Sequence, residues 1–230
     1  MTEQARSSVR ATREPLSRER VLATAMRLAD AEGLAAVTMR RVAAELGVEA
    51  MSLYFHLPGK ASIIDGLAEA IIAEIGTAIR GQDTEPDDWQ RALRRRCLTA
   101  REVMLHHRWA PGVISSRSTI PPSLYAYYEE ILAILIGGGV TYHLAHQAIH
   151  ALGSMVLGFA QELFSPPANG DPDEDVGAAI AEAATLLPHL TTMVAAELHD
   201  NQDDPMGWCD SQTEFEFTLD LILDGLARHA

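Results

Sequence analysis

The sequence predicts an all-α protein with a small helix-turn-helix head and a larger helical body. Apolar residues recur at intervals of three and four along most of its 230 residues, the period of one helix face. Alternating β-type runs are absent from the sequence, and breakers such as "STIPP", "IGGG" and "SPPANGDPDE" cut the helical pattern into pieces. An apolar content of 47% with 22% charged residues suits a folded chain and argues against disorder. No repeat of solenoid period is visible.

Residues 1–16 are polar and arginine-bearing and read as a flexible arm. Ser17 is a candidate N-cap for a helix that carries Val21, Leu22, Ala25, Leu28 and Ala29 on one face and stops at Gly33. Thr38 caps a second, short helix with Val42, Ala43 and Leu46 at helical spacing and Gly47 at its end. A turn of three or four residues then leads to a third through Met51, Leu53, Tyr54 and Phe55, halted by Pro58-Gly59. That order is the outline of a helix-turn-helix. A long amphipathic helix follows over 60–80, with Ile64, Leu67, Ile71, Ile75 and Ile79, and "QDTEPDD" at 82–88 reads as a linker. Further helices are expected at roughly 87–107, 122–136, 142–164, 175–199 and 213–228. The loops at 165–175 and 200–210 are rich in proline and acid. The domain reading is an arm over 1–16, a DNA-binding head over 17–62, and a body over 63–230.

The net charge of −14 is unevenly spread. Residues 1–60 hold nine Lys/Arg against seven Asp/Glu, a net of +2, which leaves −16 on the remainder. A basic head on an acidic body suits a protein that meets DNA with its head alone. The longest apolar run, "ILAILIGGGV" at 131–140, is too short and glycine-rich to span a bilayer, and no stretch of signal-peptide type opens the chain. A cytoplasmic location is expected. Cys97 and Cys209 lack metal-type spacing and are expected as free thiols.

In a helix-turn-helix the second helix of the pair enters the major groove and its first residues meet base edges. In "GVEAMSLYFHLPGK" at 47–60, small Ala50 and Ser52 permit close approach and Met51 suits a thymine methyl. Tyr54, His56 and Lys60 offer contacts to phosphate, and Arg40 reaches a phosphate or a guanine edge. Leu53 and Phe55 are assigned to packing.

Residues 17–70, with "ADAEG" closing the first helix and "TMRRVAAELGVEAMSLYFHLPGKASIIDGLAEAI" after it, resemble the N-terminal domain of the TetR family of bacterial repressors. The resemblance implies a DNA-binding protein in which Arg40, Ala50, Met51 and Ser52 face bases and Tyr54, His56 and Lys60 face the backbone. Tetracycline repressors typically have Gln-Pro-Thr where this sequence has Ala50-Met51-Ser52, so its operator is expected to differ. The last helix, "EFEFTLDLILDGLARHA", resembles the final helix of the tetracycline-repressor type. It implies a homodimer through a four-helix interface of 142–164 and 213–228 from each subunit. Phe217, Leu221, Leu223 and Leu226 form an apolar stripe there, which serves an intramolecular core equally well.

An effector pocket is expected between the long helices, with Trp89, Met104, Trp109, Ile114, Tyr125, Met155 and Phe159 as candidate lining residues. Each is also ordinary core material. Tetracycline itself is not expected as the effector. Ile114 or Ser115 stands where the family has a metal-binding histidine, Gly76 near a second drug-contacting histidine, and Arg96 in place of a drug-binding asparagine; Glu162 alone falls at an acidic metal partner's place. No metal or other cofactor is assigned, although His143, His146 and His150 share one helix face. Arg91, Arg94, Arg95 and Arg96 read as a solvated face paired with acids. No catalytic grouping is recognisable, so an enzyme is not expected. The leading expectation is a repressor released from a palindromic operator. An activator, an effector-independent regulator and a metal-binding helical protein are the alternatives.

Overall fold

The computed structural model describes residues 15–82, 88–117, 121–159, 186–197 and 211–230. Among these, every regular element is helical: α1 (Arg18–Glu32), α2 (Met39–Leu46), α3 (Ala50–Tyr54), α4 (Lys60–Arg80), α5 (Trp89–His106), α6 (Ala110–Ser115), α7 (Pro122–Gly137), α8 (Tyr142–Gly158), α9 (Pro188–Glu197) and α10 (Ser211–Ala227). A short 3-10 turn, Leu34–Ala36, joins α1 to α2. No described helix is long and apolar enough to cross a membrane.

The head is built from the punctuation visible in its sequence. Ser17 caps α1 by accepting the Arg20 N–H at 3.2 Å, and Thr38 caps α2 by accepting the Arg41 N–H at 3.1 Å. Gly47 ends α2 at φ 67° and ψ 38°, a left-handed conformation that glycine adopts without steric cost. The Val48 N–H then closes the turn on the Ala43 carbonyl at 3.0 Å. The Arg41 guanidinium lies 2.7 Å from Glu32 and 2.9 Å from Glu45, tying α2 to the end of α1. Val21, Val37, Val42, Leu53, Leu57, Ile63 and Leu67 form the head core.

Helix α4 belongs to both cores. Its first half supplies Ile63 and Leu67 to the head, and its second half supplies Ile71 and Ile75 to the body. The boundary expected at 62/63 falls inside this continuous helix.

In the body, α5, α7, α8 and α10 pack with α4 around Leu93, Ala100, Leu135, Leu152, Phe215 and Leu219. Trp89 lies against the C-terminus of α7, where a Cβ on Gly138 would stand 2.7 Å from that of Trp89. The Phe159 ring meets Phe215 edge-on at 5.7 Å, and the buried Arg101 guanidinium lies over Phe215 at 4.6 Å. Arg101 donates to Gln212 Oε1 at 3.0 Å and to the Phe159 carbonyl at 2.7 Å, which offsets the cost of burying its charge. Arg94 reaches Glu216 at 2.6 Å and Asp220 at 2.9 Å, pinning α5 to α10.

The sequence reading omits α6. Pro111 sits in its first turn, where proline lacks only an N–H that has no intrahelical partner. Helix α8 ends at Gly158, short of 164; of the helix expected over 175–199, residues 188–197 form α9, and 175–185 and 198–199 lie outside the described residues. Most of the arm, both acidic loops, most of the 82–88 linker, Glu162 and Cys209 lie outside the described residues.

Candidate functional site

The head presents one exposed surface around α3. Met51 is 71% exposed and Tyr54 46%, while Ala50, Ser52 and His56 are half-buried and Lys60 is exposed at the first turn of α4. Arg40 is exposed and enters no ion pair among the described residues, in contrast to its neighbour Arg41. The seven residues expected to meet DNA therefore sit along the segment from the start of α2 to the start of α4, each at least partly exposed.

Phe55 corrects the sequence reading. Assigned to packing, it is 91% exposed, the most exposed large apolar side chain described. Leu53 and Leu57 are buried in the head core, and Phe55, two residues beyond Leu53 at the helical C-cap of α3, is turned roughly 200° from Leu53 at 100° per residue. The consequence is a sharp contrast. Leu53→Ala should cost about 2–5 kcal/mol in denaturant unfolding, whereas Phe55→Ala should stay within about 0.5 kcal/mol of the parent protein.

A polar cluster joins head to body. Asp30, near the end of α1, accepts from Trp109 Nε1 at 2.6 Å and contacts His107 Nδ1 at 2.7 Å. His107 is buried; its Nε2 lies 3.3 Å from Glu74 of α4 without the alignment of a hydrogen bond. Arg117 pairs with Asp65 of α4. Trp109, expected in a pocket, instead braces this junction. Sequence carries no signal for it, since Asp30 and His107 are 77 residues apart.

Between α4, α5, α6, α7 and α8 lies an apolar cavity of about 90 Å³. Ile72 and Ile75 line it from α4, Arg96, Cys97 and Met104 from α5, and Ile114 from α6. Tyr127, Tyr128 and Ile131 of α7 and Ile149, Leu152 and Gly153 of α8 complete most of the wall. Of the seven candidates named from sequence, Met104 and Ile114 line this cavity. Trp89 sits against Gly138, Tyr125 is 59% exposed, and Met155 and Phe159 pack in the body core, Phe159 on Phe215. Burial pushes the Cys97 thiol up to about 12 and raises the Tyr127 phenol as well, so both stay uncharged at neutral pH. Arg96 is then the charged group among the described lining residues.

Arg96 also departs from the expected solvated face. Its side chain is only 13% exposed, its Nη2 donates to Glu130 at 2.7 Å, and its guanidinium lies 5.9 Å from the Tyr127 ring. Arg91 and Arg94 do pair with acids, at Asp88 and at Glu216 with Asp220.

The apolar stripe of α10 splits between two faces. Leu223 and Leu226 are buried with Phe215 and Leu219, whereas Phe217 is 64% and Leu221 54% exposed. Six residues separate Phe217 from Leu223, a rotation of roughly 600°, which leaves them about 120° apart around the helix. On α8, His143, His146 and His150 are exposed; His143 approaches Gln147 at 3.4 Å and the rings of His146 and His150 meet edge-on at 4.7 Å. The described residues contain no group of three or more His, Cys, Asp or Glu able to hold a metal ion.

Residues 21–67 match the family described as bacterial regulatory proteins of the tetR family, and residues 82–230 match the tetracyclin repressor-like C-terminal domain. The chain belongs to the TetR family. The transcriptional repressor DrrR1 of Streptomyces coeruleorubidus is 30% identical over 222 residues, covering 94% of this chain and 79% of that protein. The class C tetracycline repressor of Escherichia coli is 25% identical, covering 93% and 91%. Among solved structures, ActR of Streptomyces coelicolor in complex with actinorhodin superposes with a TM-score of 0.70 at 26% identity, over 94% of this chain and 97% of ActR. This TetR-family chain is a DNA-binding transcriptional regulator, and the relatives named here are regulators, not enzymes.

Proposed function

We propose that the protein is a homodimeric repressor, held on a palindromic operator and released by a small-molecule effector other than tetracycline that occupies the α4–α8 cavity. The observation that carries this reading is the double membership of α4. The helix that seats Ile63 and Leu67 in the head also lines the cavity with Ile72 and Ile75. The cavity, at about 90 Å³, is well below the roughly 300–1,000 Å³ of ordinary ligand sites. An effector of drug size must therefore displace its walls, and α4 is one of them. Displacement there changes the angle of the head, and with it the spacing of two recognition helices that must stand about 34–36 Å apart on adjacent half-sites. The ligand's preference for the DNA-incompetent spacing sets the limit of the shift.

The DNA surface in this reading consists of Arg40, Ala50, Met51 and Ser52 toward bases and Tyr54, His56 and Lys60 toward phosphates. Phe55, exposed beside Tyr54, joins that surface. The dimer face consists of the outward sides of α8 and α10, where Phe217 and Leu221 are too apolar to remain in water. ActR, solved with actinorhodin, supports an effector bound by the protein itself.

Tetracycline is set aside because no histidine is among the described cavity-lining residues to join a magnesium-bound drug. The test is release of labelled operator DNA by a panel of aromatic compounds, with magnesium–tetracycline as one member. The reading expects at least one compound to release DNA at one molecule per subunit and tetracycline to have no effect. Release by tetracycline, or insensitivity to every compound together with no ligand-induced change in the protein, contradicts it.

A further inference from the structure

The cavity is mostly apolar, with the Cys97 thiol and the Tyr127 and Tyr128 phenols in its wall, and its one charged lining group among the described residues, the Arg96 guanidinium, is incompletely satisfied. Arg96 Nη2 is engaged by Glu130, but Nη1 is buried without a hydrogen-bond partner among the described residues. An arginine fork offers two parallel donors to a planar oxygen pair, and a buried donor left unpaired is costly. Glu130 is 45% exposed, so solvent screens its charge, while Arg96 stands against Cys97, Tyr127 and the aliphatic wall. A neutral apolar ligand filling this space would leave Nη1 unpaired. A ligand whose anionic oxygen reaches Nη1 as the walls part would satisfy it.

Resting on the cavity reading above, we propose that Arg96 makes the site selective for flat aromatic carboxylates, with Nη1 donating to the carboxylate oxygen and the ring lying among Ile72, Tyr127, Ile131 and Leu152. Glu130 competes for the same guanidinium. It tempers the affinity for acids and keeps the empty site from holding a bare buried charge.

Matched pairs of one, two and three rings test this by calorimetry on the full-length protein: benzoate with acetophenone, 2-naphthoate with 2-acetylnaphthalene, and anthracene-2-carboxylate with 2-acetylanthracene. Each ketone replaces one carboxylate oxygen by a methyl group and removes the charge. The wild type should prefer the acid of at least one pair by about tenfold or more, as expected for a charge-assisted hydrogen bond in apolar surroundings. Arg96→Met should abolish the preference while still binding the ketone, which also shows that the variant is folded. Arg96→Lys should retain part of it, and Glu130→Gln should bind the acid more tightly than the wild type, an effect opposite to that of losing a structural ion pair. Ketone binding without acid preference, or a preference that survives Arg96→Met, overturns the role of Arg96 and leaves the cavity reading standing. Binding of neither member of any pair overturns both.

Discussion

A protein carrying Phe217→Glu and Leu221→Glu should sediment as a folded monomer and lose about a thousandfold or more of its operator affinity. Both side chains are more than half exposed, so their replacement removes little from the subunit core, and far-UV circular dichroism should be unchanged. In the proposed dimer, four carboxylates would then meet at the two-fold axis, where each must either lose its water or hold the subunits apart. A monomer grips one half-site only. The expected loss follows from the gap between specific binding and binding without specificity, about 10³ at its smallest. Leu223→Glu, by contrast, should unfold the body, because that side chain is 3% exposed in the core. Unchanged dimer mass in the double variant would place the interface elsewhere.

The second large effect is expected in the head. Tyr54→Ala with Lys60→Ala should weaken operator binding by about a hundredfold at fixed salt, with stability close to the parent because both residues are exposed. The salt dependence separates contact from distortion. Two Lys60 side chains per dimer, each neutralising one phosphate, contribute about 1.8 to the slope of log affinity against log salt, and the double variant should lose that amount. A weakened variant with the wild-type slope would mean that Lys60 does not touch phosphate.

Which parts of this molecule are legible in its sequence follows from how local the determining forces are. The caps at Ser17 and Thr38, the left-handed stop at Gly47 and the break at Pro58-Gly59 act over three or four residues, and the head can be traced from them. Phe55 and the α10 stripe are harder. Composition marks such residues as apolar, but only the phase of the helix relative to its neighbours decides whether an apolar side chain faces core or water. Phe55 and Phe217 face out while Leu53 and Leu223 face in. Arg96 was hidden for the same reason, since four arginines within six positions look alike until α7 packs against one of them. The Asp30–His107–Trp109 junction depends wholly on how α1 meets the end of α5, a contact between distant parts of the chain.

The junction and α4 together give the body two holds on the head, one at Asp30 of α1 and one through the continuous α4. In the proposed release by an effector, the signal would pass along α4, whose Ile63 and Leu67 lie in the head core and Ile71 and Ile75 in the body core.

The most direct test of the central claim is selection from random duplex DNA by the purified protein at one salt concentration, alongside the Tyr54→Ala, Lys60→Ala variant. The wild type should enrich a palindrome with half-sites one helical turn apart, or a multiple of it, and the variant should not. No enriched sequence, or equal enrichment by both proteins, would contradict it.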